Sequence, residues 1–346
     1  MQALLLSKYR HLEITDAPIP VARRGEVLVR VAACGICGSD IHGYDGTSGR
    51  RIPPIIMGHE AAGTIARVGM DVAGFCEGDR VTFDSTICCG VCSFCKRGES
   101  NLCDRRQVLG VSCSDYRREG AFAEYVVIPS RIVYRLPDEM SFLEAVMLEA
   151  VAVALHAVSL AQAPQGGTAL VVGAGTIGLL LTQALRLAGC NVTVTDIDNS
   201  RLKLARRLGA TEVRLAANIA AGGALGGGTS NGGVDLAVEA VGKHETIRLA
   251  IENVRKGGTV ILVGNISPEV SLPLQKIVTR QIRLQGSCAS AGEYPRAMEL
   301  VASKQIDVTS LITAVAPLVE GPPWFERLYA GEPNLMKVVL TPGAAQ

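Results

Sequence analysis

The chain has 346 residues, 48% of them hydrophobic and 19% charged, with a formal net charge of +1. At roughly 100–200 residues per domain, this length predicts two domains, each able to bury its own core. The near-neutral balance excludes a disordered chain, and it gives no ground for a nucleic-acid or membrane-surface partner.

In chain order, the opening run Met1–Lys8 is too short an apolar stretch for a cleavable leader. With no leader and an odd count of 11 cysteines, a disulfide framework is not expected. Metal binding in a cytoplasmic protein is the better reading. Strand patterns follow at Glu26–Val31, Ala62–Val68, Asp79–Phe83 and Ala123–Ile128, each near Gly or Pro. They predict a β-rich first domain, a small distorted barrel.

The texture changes near Ser141. Ala145–Ala161 is Ala-rich and apolar, and predicts one helix. Two strand–helix alternations come next, Thr168–Gly173 with Thr176–Ala188 and Asn191–Asp196 with Ser200–Leu208. Further strands are expected at Val234–Ala240 and Thr259–Gly264, with a helix at Thr246–Val254 between them. Short strands alternating with helices predict an α/β fold with a doubly wound parallel sheet. Thr168–Leu185 carries no charge, but its glycines fit a buried strand turning into a helix rather than a membrane span. The glycine-rich stretch Gly222–Gly233 reads as a surface loop. Near the C-terminus, Pro295–Leu300 has a helical pattern and Lys337–Leu340 a strand pattern.

Two cysteine groups carry metal chemistry. Cys89, Cys92, Cys95 and Cys103 form C-x2-C-x2-C-x7-C, a spacing that lets four thiolates surround a structural Zn²⁺. Cys88 adjoins the group and could replace Cys89. The second group joins Cys37, in Cys34-Gly35-Ile36-Cys37-Gly38, to His59 and Glu60, with Glu149 as a further carboxylate. A thiolate, an imidazole and one carboxylate leave a zinc position open, as catalysis requires.

Gly173-Ala174-Gly175-Thr176-Ile177-Gly178 sets G-x-G-x-x-G where an apolar strand meets an apolar helix. The pyrophosphate of a dinucleotide sits on such a helix N-terminus. Asp196 lies 18 residues after Gly178, at the end of the next strand, where an acid bonds the adenosine ribose. That favours NAD, although Arg201 nearby keeps NADP open.

Together these motifs resemble the zinc-containing medium-chain alcohol dehydrogenase family over nearly the whole chain. The resemblance implies a GroES-like catalytic domain at 1–150, completed by 291–346, around a Rossmann coenzyme domain at 151–290. Leu148-Glu149-Ala150-Val151-Ala152-Val153-Ala154-Leu155-His156-Ala157 is similar to the polyol (sorbitol, iditol) and threonine dehydrogenase branch, with Ala150 where a proline usually stands. It implies zinc ligation by Cys37 and His59, with Glu60 and Glu149 sharing the remaining role. Two zinc ions per subunit and a homo-oligomer, tetramer or dimer, are expected.

By the same resemblance, Ser39 bonds the substrate alcohol and His42 ends a proton relay. Lys337 either meets the coenzyme pyrophosphate or is a surface lysine. The implied reaction is reversible, NAD-dependent oxidation of a secondary alcohol of a small polar polyol to a ketone. L-Threonine or a sugar-alcohol phosphate is an alternative substrate, with Arg117 and Arg118 as candidate phosphate contacts. A non-catalytic zinc-stabilised NAD sensor is the distant reading. His11, His156 and His244 receive no role.

Overall fold

The computed structural model describes residues 1–162, 165–219 and 232–343, so the loop expected at Gly222–Gly233 lies almost wholly outside the described residues. The chain divides into two compact units. One takes Met1–Glu149, Tyr294–Lys304 and the segment from Val308 onward; the other takes Ala150–Glu293 with Gln305–Asp307.

The first unit is organised around the strand Glu26–Gly35 in a seven-stranded sheet. One edge of that strand pairs antiparallel with Glu60–Val68, the other with Tyr125–Pro129 and Lys337–Thr341. Its valines Val27, Val29 and Val31 are buried with Ile65, Phe83 and Ile128. Sequence patterning ends the strand at Val31, but it continues to Gly35 because Ala33, Cys34 and Gly35 pair with Ala62, Ala61 and Glu60. These small residues carry little β preference of their own; the ladder supplies it. The opening run, read only as too short for a leader, is the strand Gln2–Lys8 of a hairpin with His11–Asp16. From the other end of the chain, Phe325 on the helix Gly321–Tyr329 packs edge-on against Phe122, ring centroids 5.7 Å apart. Burying a side chain of that size contributes about 1.5–3 kcal/mol.

The single helix expected at Ala145–Ala161 is two helices, Phe142–Val146 and Leu148–Ala161. A capping box starts the first, because the Ser141 hydroxyl accepts from the Glu144 N–H while the Glu144 carboxylate accepts from the Ser141 N–H. Met147 ends it, and Glu149 stands in the first turn of the second.

The second unit holds a six-stranded, wholly parallel sheet. Its order is Glu212–Leu215, Asn191–Asp196, Thr168–Val172, Val234–Glu239, Val254–Leu262 and Arg283–Gly286. The strand order reverses at Thr168–Val172, the position at which doubly wound sheets bind dinucleotides. The near-continuous apolar runs of its central strands follow from burial on both faces; Leu170, Val171, Val194, Leu236 and Val260 are all at most 1% exposed. Among the described residues, no helix is long and apolar enough to cross a membrane.

Candidate active site and metal centres

The strand Glu26–Gly35 delivers the chain to Cys37, which caps the helix Gly38–Tyr44. His59 and Glu60 enter from the start of the neighbouring strand, after Gly58. Gly58 has φ +93°, and a Cβ there would stand 2.9 Å from Cys34 Sγ and from the Phe122 ring, so only glycine makes this turn. The ligand atoms of Cys37, His59 and Glu60 all lie within 4.8 Å of one another, and His59 and Glu60 are buried. A soft thiolate, an imidazole and a carboxylate, drawn together and largely out of water, are a donor set that fits Zn²⁺.

The register Gly35↔Glu60 continues across the sheet to the C-terminal strand, where Val339 pairs with Gly35. A Cβ at Gly35 would lie 2.5 Å from Glu60 Oε2, so the bare glycine leaves the carboxylate its place. Lys337 Nζ donates to Glu60 Oε2 at 2.5 Å and to the Ile36 carbonyl at 3.3 Å. Lys337 is 3% exposed, which corrects its reading as a surface lysine. Its charge faces Glu60.

Glu149 is not in the Cys37–His59–Glu60 group but shares its electrostatics. Burial first, opposed by His59 and reinforced by Glu60 and Asp84, raises its carboxyl from 4.5 to about 7. Asp40 moves the other way. Burial pushes it up, yet His59 and Arg51 together hold it at about 2. Ser39 and His42 sit three residues apart on the helix that Cys37 caps, hence on one face; Ser39 is exposed and His42 half-buried.

Cys89, Cys92, Cys95 and Cys103 also bring their sulfurs within 4.8 Å of one another. Gly90 (φ +75°) and Gly98 (φ +83°) make the loop's left-handed turns. Backbone N–H groups of Val91 and Cys92 hold the Cys89 thiol at about 5. Desolvation and the sulfurs of Cys92 and Cys103 push Cys95 up to about 12. Four sulfurs this close ionise together only around a cation, and a closed shell of four cysteines suits zinc. Cys88 is not in the group.

In the second unit, the helix Thr176–Leu187 follows the turn, with Gly175 at its N-cap. A Cβ at Gly178 would sit 1.8 Å from the Gly173 carbonyl, and one at Gly173 2.5 Å from Val241 Cγ2. At Gly175 a Cβ would meet nothing within 4 Å, so that side of the turn is open to a ligand. Thr176 and Ile177 open the helix, whose positive N-terminus faces that space. Asp196 ends its strand 9% exposed; Oδ2 accepts from the Ala174 N–H at 2.6 Å and Oδ1 from the Asp198 N–H at 2.9 Å. The next helix is capped by Asp198, not Asp196, and Arg201 Nε lies 3.9 Å from Asp198 Oδ2.

Several charged residues escaped sequence reasoning. Asp40 and Arg51 are 0% and 4% exposed, and Glu239 is fully buried, accepting from the Val241 and Gly242 N–H groups at 2.8 Å. His156, given no role, bonds Glu293 at 2.7 Å. Only Asp40 had a local signal, its place three residues after Cys37, the third helical position that closes a capping box with the N-cap residue. Arg117 and Arg118, the candidate phosphate contacts, bond the Pro54 carbonyl and Gln107 Oε1 respectively.

The alcohol dehydrogenase GroES-like domain family matches residues 23–138, and the zinc-binding dehydrogenase family matches residues 176–303. The chain is 34% identical to sorbitol dehydrogenase of Bacillus subtilis (strain 168), over 99% of this chain and 97% of that protein. It is 32% identical to D-xylulose reductase A of Aspergillus oryzae, over 95% and 94%. The solved structure of alcohol dehydrogenase TADH from Thermus sp. ATN1 superposes with a TM-score of 0.91 at 29% identity, over 99% of both chains. Full-length likeness of sequence and fold, with both domains matched in order, makes this chain a CH–OH oxidoreductase that belongs to the zinc-containing medium-chain alcohol dehydrogenase family, in its polyol branch.

Proposed function

We propose that the protein oxidises a secondary hydroxyl of a small polyol to a ketone with NAD, reversibly, at the Cys37–His59–Glu60 centre. The observation that carries this reading is that group itself, its ligand atoms within 4.8 Å of one another. Cys37 and His59 would hold the catalytic zinc, with the carboxylate role shared by Glu60, backed by Lys337, and Glu149. When bound, zinc supplies a Lewis acid for the hydroxyl and the coenzyme accepts hydride at its nicotinamide. Ser39 would take up the alcohol proton and hand it on by way of the coenzyme ribose to His42, one turn along the same face, which would release it to water.

Cys89, Cys92, Cys95 and Cys103 would hold the structural zinc. The unit containing Glu26–Gly35 is the catalytic domain in this reading, and the unit with the parallel sheet the coenzyme domain. Gly173, Gly175, Thr176, Ile177 and Gly178 receive the pyrophosphate. Asp196 places a carboxylate at the ribose and disfavours a 2′-phosphate, which supports NAD over NADP. Arg201 lines the same end.

A homo-oligomer, dimer or tetramer, fits the open edge strand Arg283–Gly286. Leu272, Leu274 and Val278, exposed at 40%, 69% and 68%, lie in the segment preceding it. Reduced thiols at both metal centres suit the cytoplasm. The test is a panel of polyols, sugar-alcohol phosphates and L-threonine offered with NAD and with NADP, read as reduced-coenzyme absorbance beside zinc content. Turnover of a polyol with NAD is expected. A protein holding two zinc ions per chain that oxidises no polyol would sink the proposal.

A further inference from the structure

We propose that Arg51 is a positioning residue for the catalytic centre, acting through Asp40 on His59 and directly on Ser39. The inference rests on the reading of Cys37, His59 and Glu60 as that centre.

Arg51 is 4% exposed, and a guanidinium is permanently charged, so its burial demands compensation. One donor is used locally, Nη1 to the Arg50 carbonyl at 3.2 Å. Nη2 reaches the site, 3.2 Å from Asp40 Oδ1 and a longer 3.5 Å from Ser39 Oγ. Nε is buried and has no hydrogen-bond partner among the described residues. The helix makes room for this arrangement. A Cβ at Gly43 would stand 2.0 Å from Arg51 Cγ, so a glycine sits in the last turn of the helix and the arginine stem fills the space a side chain would take.

Asp40 is the hinge of the argument. It is 0% exposed, and its Oδ2 accepts from the Cys37 N–H at 3.1 Å. Its Oδ1 lies 3.4 Å from His59 Nδ1, a charge contact whose geometry falls short of a hydrogen bond. One carboxylate therefore touches two of the three residues of the centre, and Arg51 holds the oxygen that faces the imidazole. A ligating imidazole that gives its N–H to an unshared carboxylate becomes a stronger donor and leaves the metal less electrophilic. By sharing Oδ1, Arg51 keeps His59 a weaker donor. By donating to Ser39 Oγ it also occupies one lone pair, which turns the serine O–H away from the guanidinium and frees it for the relay.

The test is a double-mutant cycle on the cobalt(II)-substituted protein, comparing wild type, Arg51→Met, Asp40→Asn and the double variant. Arg51→Met is expected to shift the visible cobalt bands, and to add no shift once Asp40 is Asn. With a polyol that the wild type oxidises, kcat should fall about 10- to 100-fold while KM moves less than about threefold. Arg51→Lys, which keeps the charge and loses the fork, should recover part of kcat and replaces Arg51→Met in the cycle if the latter does not fold. Unshifted bands in a metal-loaded Arg51 variant, or equal effects of Arg51→Met in both Asp40 backgrounds, would overturn the inference. A wild type that binds only one zinc per chain would instead overturn the reading of the centre.

Discussion

Lys337→Met is the sharpest single perturbation of the first unit. The side chains of Lys337 and Glu60 are 4% and 2% exposed and 2.5 Å apart. Removing the lysine leaves Glu60 as a buried carboxylate without its cation, which costs about 3–5 kcal/mol in comparable pairs. At a urea dependence of roughly 3 kcal/mol/M, the unfolding midpoint of the zinc-free protein should fall by about 1–1.7 M. Zinc-loaded protein should lose less, because Glu60 can then turn to the metal. Glu60→Gln combined with Lys337→Met should recover most of the loss, since the orphaned carboxylate is then gone. A midpoint shift below about 0.3 M in the zinc-free single variant would refute the reasoning. NADH titration of the same samples reports on the coenzyme. A Kd raised about tenfold would give Lys337 a direct hand on the pyrophosphate as well, since losing a charge-assisted bond is worth about that much.

Three other outcomes are expected. Cys37→Ser should lose one zinc of two yet keep its fold, whereas Cys92→Ser should lose the other and melt lower; metal analysis and calorimetry separate the two. Gly178→Ala puts a methyl 1.8 Å from the Gly173 carbonyl, so NADH binding, followed by fluorescence, should weaken at least tenfold or the second unit should melt early. Asp235 is held below its ordinary 3.8 because the Thr168 N–H and hydroxyl and Arg255 outweigh its burial. Its contribution is therefore full above about pH 4 and fades as pH falls through the lowered value. In Asp235→Asn that part of the acid limb should vanish, and an unchanged melting profile between neutral and acid pH would count against it.

The closeness of the four cysteines and the tightness of the glycine turn were legible because both are local in sequence. Cys89 to Cys103 spans one loop, and Gly173 to Gly178 one turn, so spacing alone carries the geometry. The helix break at Met147 was not legible, since the apolar run from Ala145 continues through it, and the helix's start was missed because its capping box lies upstream at Ser141 and Glu144. The electrostatic frame of the site was equally hidden. In sequence Asp40 offers a capping signal, Lys337 a place by resemblance and Arg51 nothing; only the fold makes them buried, and Lys337 stands 277 residues from the glutamate it neutralises. Strand pairing across such a distance leaves no periodic trace, so likeness to a family, rather than patterning, suggested that the tail returns to the first unit.

That return has a consequence for synthesis. The parallel-sheet unit is nearly continuous, from Ala150 to Glu293, and its strands can pair as they leave the ribosome. The first unit cannot finish its sheet in step, because the strand beside Gly35 and the cation for Glu60 both arrive with Lys337–Thr341. The earlier-made part must therefore wait half-built while the later-made insert folds. Metal delivered to Cys37 and His59 during that interval would meet a Glu60 carboxylate still without its lysine, so the proposed centre can take its final form only once Lys337–Thr341 has been made.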